Sequence, residues 1–203
     1  MKSLISEALI DCKAYAVSIF CVYFVSCAVG ILMAHQGNQF ALAQRDRIVG
    51  AAMQTDKAAI EYQAGNNFSA AVRDFAGNVL FAAIPQTLLG FGVVPPYFTV
   101  AYQGWVGGIV SVDGSHRSRF TNTRTTAYYF LVLLLQTVAF SLSIGAGIKC
   151  GVSTYKYNAA VGWKFWNLRI PKGSLARVCR VYVVSLPLFL VASCFEFLSK
   201  WNM

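Results

Sequence analysis

Long charge-free blocks alternate with mixed polar stretches along this chain. Residues 14–34 and 127–148 run for 21 and 22 positions without a charged side chain, 181–195 is uncharged up to Glu196, and 75–112 contains no Lys, Arg, Asp or Glu. A helix of about 20 such residues crosses roughly 30 Å of hydrocarbon. The pattern predicts an all-α, polytopic helical membrane protein, a single membrane domain over 1–203. About five membrane segments are expected, at 14–34, 75–93, 97–112, 127–148 and 181–199. An outer loop at 35–74 and an inner basic loop at 150–180 connect them.

The central block breaks at Val94-Pro95-Pro96. Pro96 supplies no amide proton and biases Pro95 toward extended geometry, so one helix should not run through. The block is then either two short spans or a re-entrant hairpin. Both return the chain to the side it left. Before it, Phe68, Ala71, Val72 and Phe75 recur at helical spacing, the stripe of an interfacial amphipathic helix started by Asn66 or Asn67. Asp113-Gly114 marks a turn, and Ser174, after Pro171 and Gly173, is placed to cap the helix feeding the last span. A 21-residue apolar run behind a leader holding Glu7 and Asp11 reads as a retained span rather than a signal core of about 7–15 residues.

Composition agrees: 57% of residues are apolar and 12% charged, against about 25% charge in a soluble domain. The net charge of +9 records topology more than nucleic-acid binding, and no nucleic-acid partner is expected. Residues 149–180 hold seven basic residues and no acid. This places them, and the amino terminus, on the cytoplasmic side of a multi-pass protein of the cell (inner, cytoplasmic) membrane. Trp163-Lys-Phe-Trp166-Asn-Leu-Arg169 then reads as an anchor at the headgroup zone.

Candidate chemistry is sparse. The sequence has no GxxxxGK[ST], HExxH or GxSxG, and its six cysteines sit in or beside apolar segments without CxxC spacing. His35 and His116 fall at segment edges, where solvated roles are expected. No catalytic residue, cofactor or metal site is expected. Gly104 and Gly108 form a GxxxG, and Gly145, Gly147 and Gly151 extend the same spacing logic, pointing to close helix packing in lipid. Gln86, Gln103 and Gln136 are amides at membrane depth that should face other helices or a wet cavity. Glu196, near the outer end of the last span, is expected to anchor at headgroups or on an outer-loop arginine.

Three stretches resemble the stage II sporulation protein M family of bacterial and archaeal membrane proteins. The first is Asn78, Gly90 and Tyr102-Gln103-Gly104-Trp-Val-Gly-Gly108; the second is Gln136-Thr-Val-Ala139 with Gly147-Ile-Lys149-Cys-Gly151; the third is Leu186-Pro187, Ala192 and Glu196. Together they cover about 75–200. Gly77 and Gln103 stand where the family has Asn, Gln136 where it has Glu, and Lys149 where it has Arg. The third of these departures removes an ionised carboxylate from the fourth span. The fourth keeps charge without the bidentate fork.

The resemblance implies a membrane component of a complex that remodels the cell envelope. The expected function is accordingly a non-enzymatic integral membrane scaffold in an envelope complex. Its partners would be membrane lipids and other membrane or envelope proteins, a second copy of the chain among them. The alternative is a permease-type subunit moving a small or lipid-like solute past the broken central pair and its amides. A membrane-embedded enzyme ranks third, since no nucleophile or base can be named.

Overall fold

Helices dominate the computed structural model, which describes residues 2–120, 122–161 and 168–199. The protein is all-α, with no strand among the described residues. In chain order the helices are α1 (Lys2–His35), α2 (Gln39–Thr55), α3 (Lys57–Gln63), α4 (Asn67–Ala76), a π-helical stretch (Gly77–Ala83), α5 (Ile84–Gly90), α6 (Pro95–Val110), α7 (Thr123–Ala160) and α8 (Ser174–Leu198). Three of them, α1, α7 and α8, are long and apolar enough to cross a membrane.

Helix α7 is the axis of the bundle because one side of it is built from small residues. Ala139, Ser141, Ser143, Gly145, Ala146, Gly147 and Gly151 are all buried, and each of three core clusters includes a residue of α7. The clusters are Ala8, Cys12, Ala146 and Val181; Ile19, Val100, Ile144 and Ile148; and Val79, Ala83, Ala139 and Phe189. Small side chains let neighbouring backbones come close, and dispersion over the short gap supplies the attraction that the hydrophobic effect cannot supply between helices in lipid.

Pairings along these seams set helix direction. Ser18 meets Tyr97, and the backbone at Tyr23 and Cys27 meets Gly104 and Gly108, so α1 and α6 run parallel. Thr87 meets Gly147 and Phe91 meets Gly151, so α5 and α7 also run parallel. Helix α8 returns antiparallel to α7, with Val181 beside Ala146, Phe189 beside Ala139 and Glu196 beside Gln136. The arms of the central pair therefore run in opposite directions, joined by a tight turn at 91–94 that sits level with Gly151.

That turn differs in detail from the expected proline break. The helix stops at Gly90, Val93 takes a left-handed φ of 67°, and Pro95 and Pro96 begin α6 as its first two residues. A first-turn amide has no intrahelical acceptor, so proline costs nothing there. Upstream, Pro85 has no N–H to give to the carbonyl one turn back. The helix absorbs this by widening: 77–83 is π-helical, and the Ile84 N–H reaches Val79 O.

Other expectations are corrected. Helices α2 and α3 occupy 39–63, where only an outer loop was expected, whereas α4 is the expected amphipathic helix and continues unbroken into the π-helical stretch. Asn66 stands at the N-cap of α4, but its side chain donates to Glu61 Oε2 (3.0 Å) instead of capping. The fourth segment does not end at 148: α7 continues to Ala160, so the connection thought to span 150–180 is confined to 161–173. Ser174 is the first residue of α8, and the cap position is Gly173, at φ 82°. The aromatic-basic stretch from Trp163 to Asn167 lies outside the described residues.

The exterior is apolar along the bundle. Leu32 on α1, Phe81 and Leu88 on the descending arm, Phe98 on α6 and Val183 and Val191 on α8 are all exposed. A continuous apolar exterior of this kind suits lipid rather than water.

Candidate functional site: an amide-lined chamber and its carboxylates

The splayed arms of the central pair leave a chamber of about 230 Å³ between α1, the π-helical stretch, α6 and α7. Asn78, Gln103 and Gln136 line it together with Tyr23, Thr137 and Ser141, over an apolar floor that includes Ile19, Val100 and Ile144. Three polar positions far apart in sequence thus converge on one space. Gln103 is exposed at the rim. Gln86, the other membrane-depth amide, is buried elsewhere, and its Oε1 has no hydrogen-bond partner among the described residues.

Two carboxylates stand behind the chamber. Gln136 Nε2 donates to Glu196 Oε2 at 3.0 Å, and Asn78 Nδ2 donates to Asp74 Oδ2 at 3.0 Å. Ser193 Oγ also donates to Asp74 Oδ2, at 2.7 Å, while Tyr128 donates its hydroxyl proton to the Glu196 carbonyl. Glu196 therefore turns inward onto α7, contrary to the expected anchoring at headgroups or an outer arginine. Neither Asp74 nor Glu196 forms an ion pair with Lys or Arg among the described residues.

The glycines singled out in sequence build two seams. A Cβ on Gly104 or Gly108 would strike the Tyr23 or Cys27 carbonyl oxygen of α1. A Cβ on Gly147 or Gly151 would strike the Thr87 or Phe91 carbonyl oxygen, and one on Gly90 would meet Ile148 N at 2.9 Å. Lys149 and Pro187 lie apart from the chamber. Lys149 lines a small crevice with Asp11 and Arg177, whose side chains pair at 3.3 Å. Pro187 sits inside α8 between Leu186 and Leu188, which pack on the Val79–Phe189 cluster.

At the other end of the bundle, α2 to α4 form a lobe. Arg45, buried, reaches the Val112 carbonyl at 3.5 Å and pairs with Asp46. Both histidines are exposed, as expected, and they meet: His35 Nδ1–H donates to the His116 carbonyl at 2.8 Å. Asp113 accepts from the amides of Ser115 (2.8 Å) and Arg117 (2.9 Å), which hold its carboxyl below the usual range. Arg73 pairs with Glu61 at 3.0 Å, and Tyr62 packs edge-on against Phe197. Among the described residues no group of three or more His, Cys, Asp or Glu side chains is arranged to hold a metal.

Sequence reading missed Asp74, Ser193, Tyr128 and Ser141. Only Asp74 carried a signal, as the last acid before the charge-free block. No protein-family model, curated protein or solved structure matches the chain.

Proposed function

We propose that the chain is a five-pass membrane subunit that holds partners in a cell-envelope complex, similar in architecture to the stage II sporulation protein M family. The observation that carries this reading is the lobe of α2 to α4, three consecutive helices fastened to one end of the bundle through Arg45 and Tyr62 and tied within by the Arg73–Glu61 pair. A helical platform of that kind is a surface for docking rather than a passive connection. Five passes are supported by the alternating directions of α1, the two central arms, α7 and α8, and by apolar side chains exposed on both arms. The amino terminus then lies in the cytoplasm and the lobe outside. The family reading is supported by Asn78, Gln103, Gln136 and Glu196, taken from separate pieces of the resemblance, which cluster in space. Mild-detergent purification of the tagged chain from native membranes tests it. Stoichiometric membrane or envelope partners are expected, lost when exposed lobe residues are changed; recovery of the chain alone would overturn it.

The amide-lined chamber favours a second reading, a permease-type subunit for a small solute. Reconstitution of the purified chain in liposomes separates the two: solute flux without partners favours the permease.

A further inference from the structure

A groove of about 300 Å³ runs along the seam between α1 and α7, lined from Leu9 to Phe20 on one side and by Val138 and Leu142 on the other. The helices touch there through small residues. Ala16 meets Gly145 so closely that a Cβ on the glycine would come within 2.7 Å of the Ala16 amide nitrogen, and the larger side chains flanking that contact form the walls. Ala16 and Ser141 also line the groove, both buried, and the Ser141 hydroxyl is closed off from it. Ile10 and Val17 are exposed along it. The groove is therefore apolar for most of its length and open on its outer side.

Its dimensions decide what fits. From Leu9 to Phe20 a helix rises about 17 Å, at about 1.5 Å per residue. The groove's volume of about 300 Å³, spread over that rise, leaves a mean cross-section of roughly 18 Å² and a width of about 4–5 Å. Carbon atoms in contact stand about 3.5–4.0 Å apart, so a single hydrocarbon chain fills such a groove. A helix, about 10–12 Å across with its side chains, does not enter it. The length is about half of the roughly 30 Å hydrocarbon core, the share of one leaflet.

The groove also carries a charge at the right level. Lys13 is its one charged residue among the described residues, and it stands immediately before the charge-free block of 14–34, where hydrocarbon gives way to headgroups. Lys13 is exposed and forms no ion pair among the described residues. Its neighbour Asp11 is taken by Arg177 at 3.3 Å, and Lys149 adds a second cation beside that pair. Glu7, an exposed acid farther toward the amino terminus, is the remaining opposite charge on this stretch of α1. We propose that the groove holds one acyl chain of an anionic phospholipid from the leaflet on the amino-terminal side, with the phosphate on the Lys13 ammonium. The chain lies along Val17 and Phe20, and the long lysine stem covers its first carbons. The inference goes beyond the scaffold and permease readings and depends on neither, because a retained lipid is compatible with both.

Native mass spectrometry of the purified, delipidated full chain tests it, with phosphatidylglycerol and phosphatidylcholine of identical acyl chains as probes. The first lipid bound should be phosphatidylglycerol, about fivefold more tightly than phosphatidylcholine, the worth of one basic side chain beside an anionic headgroup. Lys13→Gln should bring the two lipids to parity. Val17→Trp, at an exposed position, should fill the groove and weaken phosphatidylglycerol several-fold. Val25→Trp, at a more exposed position of α1 outside the groove, should leave it unchanged. Equal binding of the two lipids by the unaltered chain overturns the assignment. So does a preference that survives Lys13→Gln, or a Val17→Trp chain indistinguishable from Val25→Trp. Oleate that displaces phosphatidylglycerol would make the occupant a free fatty acid. A dimer that Val17→Trp splits and phosphatidylglycerol does not would make it a second copy of the chain; either result overturns the phospholipid.

Discussion

Gln136 on α7 donates its side-chain amide to the carboxylate of Glu196 on α8 at 3.0 Å, across 60 positions of sequence. The same stretch of α8 is held a second time, because Tyr128 donates to the Glu196 backbone carbonyl and packs against Phe195. One helix thus reads both the side chain and the backbone of the other, which fixes the register of α8 on α7. Replacing Gln136 by Leu leaves a half-buried carboxylate without its donor. The expected loss is about 1–3 kcal/mol, the cost of an unmet polar group. Glu196→Gln retains a partner in either amide orientation and should lose less. Thermal unfolding in one detergent compares them; equal losses would mean that the pairing contributes nothing.

The glycine seams predict a contrast within one residue type. A Cβ at Gly147 would run into the Thr87 carbonyl oxygen, which belongs to backbone and cannot swing away. Gly147→Ala should therefore destabilise by about 1–3 kcal/mol, as overpacking does. Gly77 has nothing within 4 Å of a built Cβ. There alanine only reduces the freedom of the unfolded chain, so Gly77→Ala should be neutral or stabilising by up to about 1 kcal/mol. Destabilisation of both to the same degree would show that the seam is not the cause.

Much of this was legible in the sequence, for a physical reason. Charge cannot be carried into hydrocarbon cheaply, so α1, α7 and α8 announced themselves as charge-free blocks. The central pair was marked by Val94-Pro95-Pro96. What failed to show were features set by partners. Helix α7 passes Lys149 and Lys156 and continues to Ala160, because Thr154 and Asn158 stay buried and Asn158 exchanges hydrogen bonds with the Arg169 backbone. Hydropathy falls there while helicity does not. Helices α2 and α3 lack a strong apolar stripe and are started by Asn38 and Asp56 caps at ordinary polar positions. The π-helical stretch follows from Pro85, which sequence alone does not distinguish from a kink. Glu196 was misread because the side it faces depends on Gln136, a contact no local pattern records.

The turn at 113–118 should respond to acid. Asp113 is exposed, and the amides of Arg117 and Ser115 hold its carboxyl below the usual range. A group whose pKa is depressed in the folded state contributes stability above its unfolded value and loses it as pH falls through the folded one. The turn should therefore keep its structure through neutral pH and loosen only below about pH 3.9, the unperturbed aspartate value. The amide resonances of Ser115 and Arg117 report this directly, moving together with a midpoint under that value. In Asp113→Asn the same resonances should not titrate over that range. A midpoint above the ordinary value would remove the carboxylate as the organiser of the turn.

Orientation offers the sharpest check on the whole arrangement, because the five-pass reading proposed above puts the lobe and the far end of α7 on opposite sides. Thr55 ends α2 in the lobe, and Lys156 is exposed near the end of α7. A cysteine placed at either position in a chain lacking its native cysteines is accessible to a membrane-impermeant maleimide only from its own side. In that reading the density of basic residues over 149–180 places the segment in the cytoplasm, since translocating it would work against the membrane potential and the anionic inner leaflet. Thr55→Cys should therefore react in intact cells, and Lys156→Cys only after the membrane is permeabilised. His116→Cys, across the His35 contact from the lobe, should behave like Thr55→Cys. Labelling of 55 and 156 from the same side would leave an even number of passes between them. That would turn the central pair into a hairpin that enters and leaves by different faces, or remove α7 as a span.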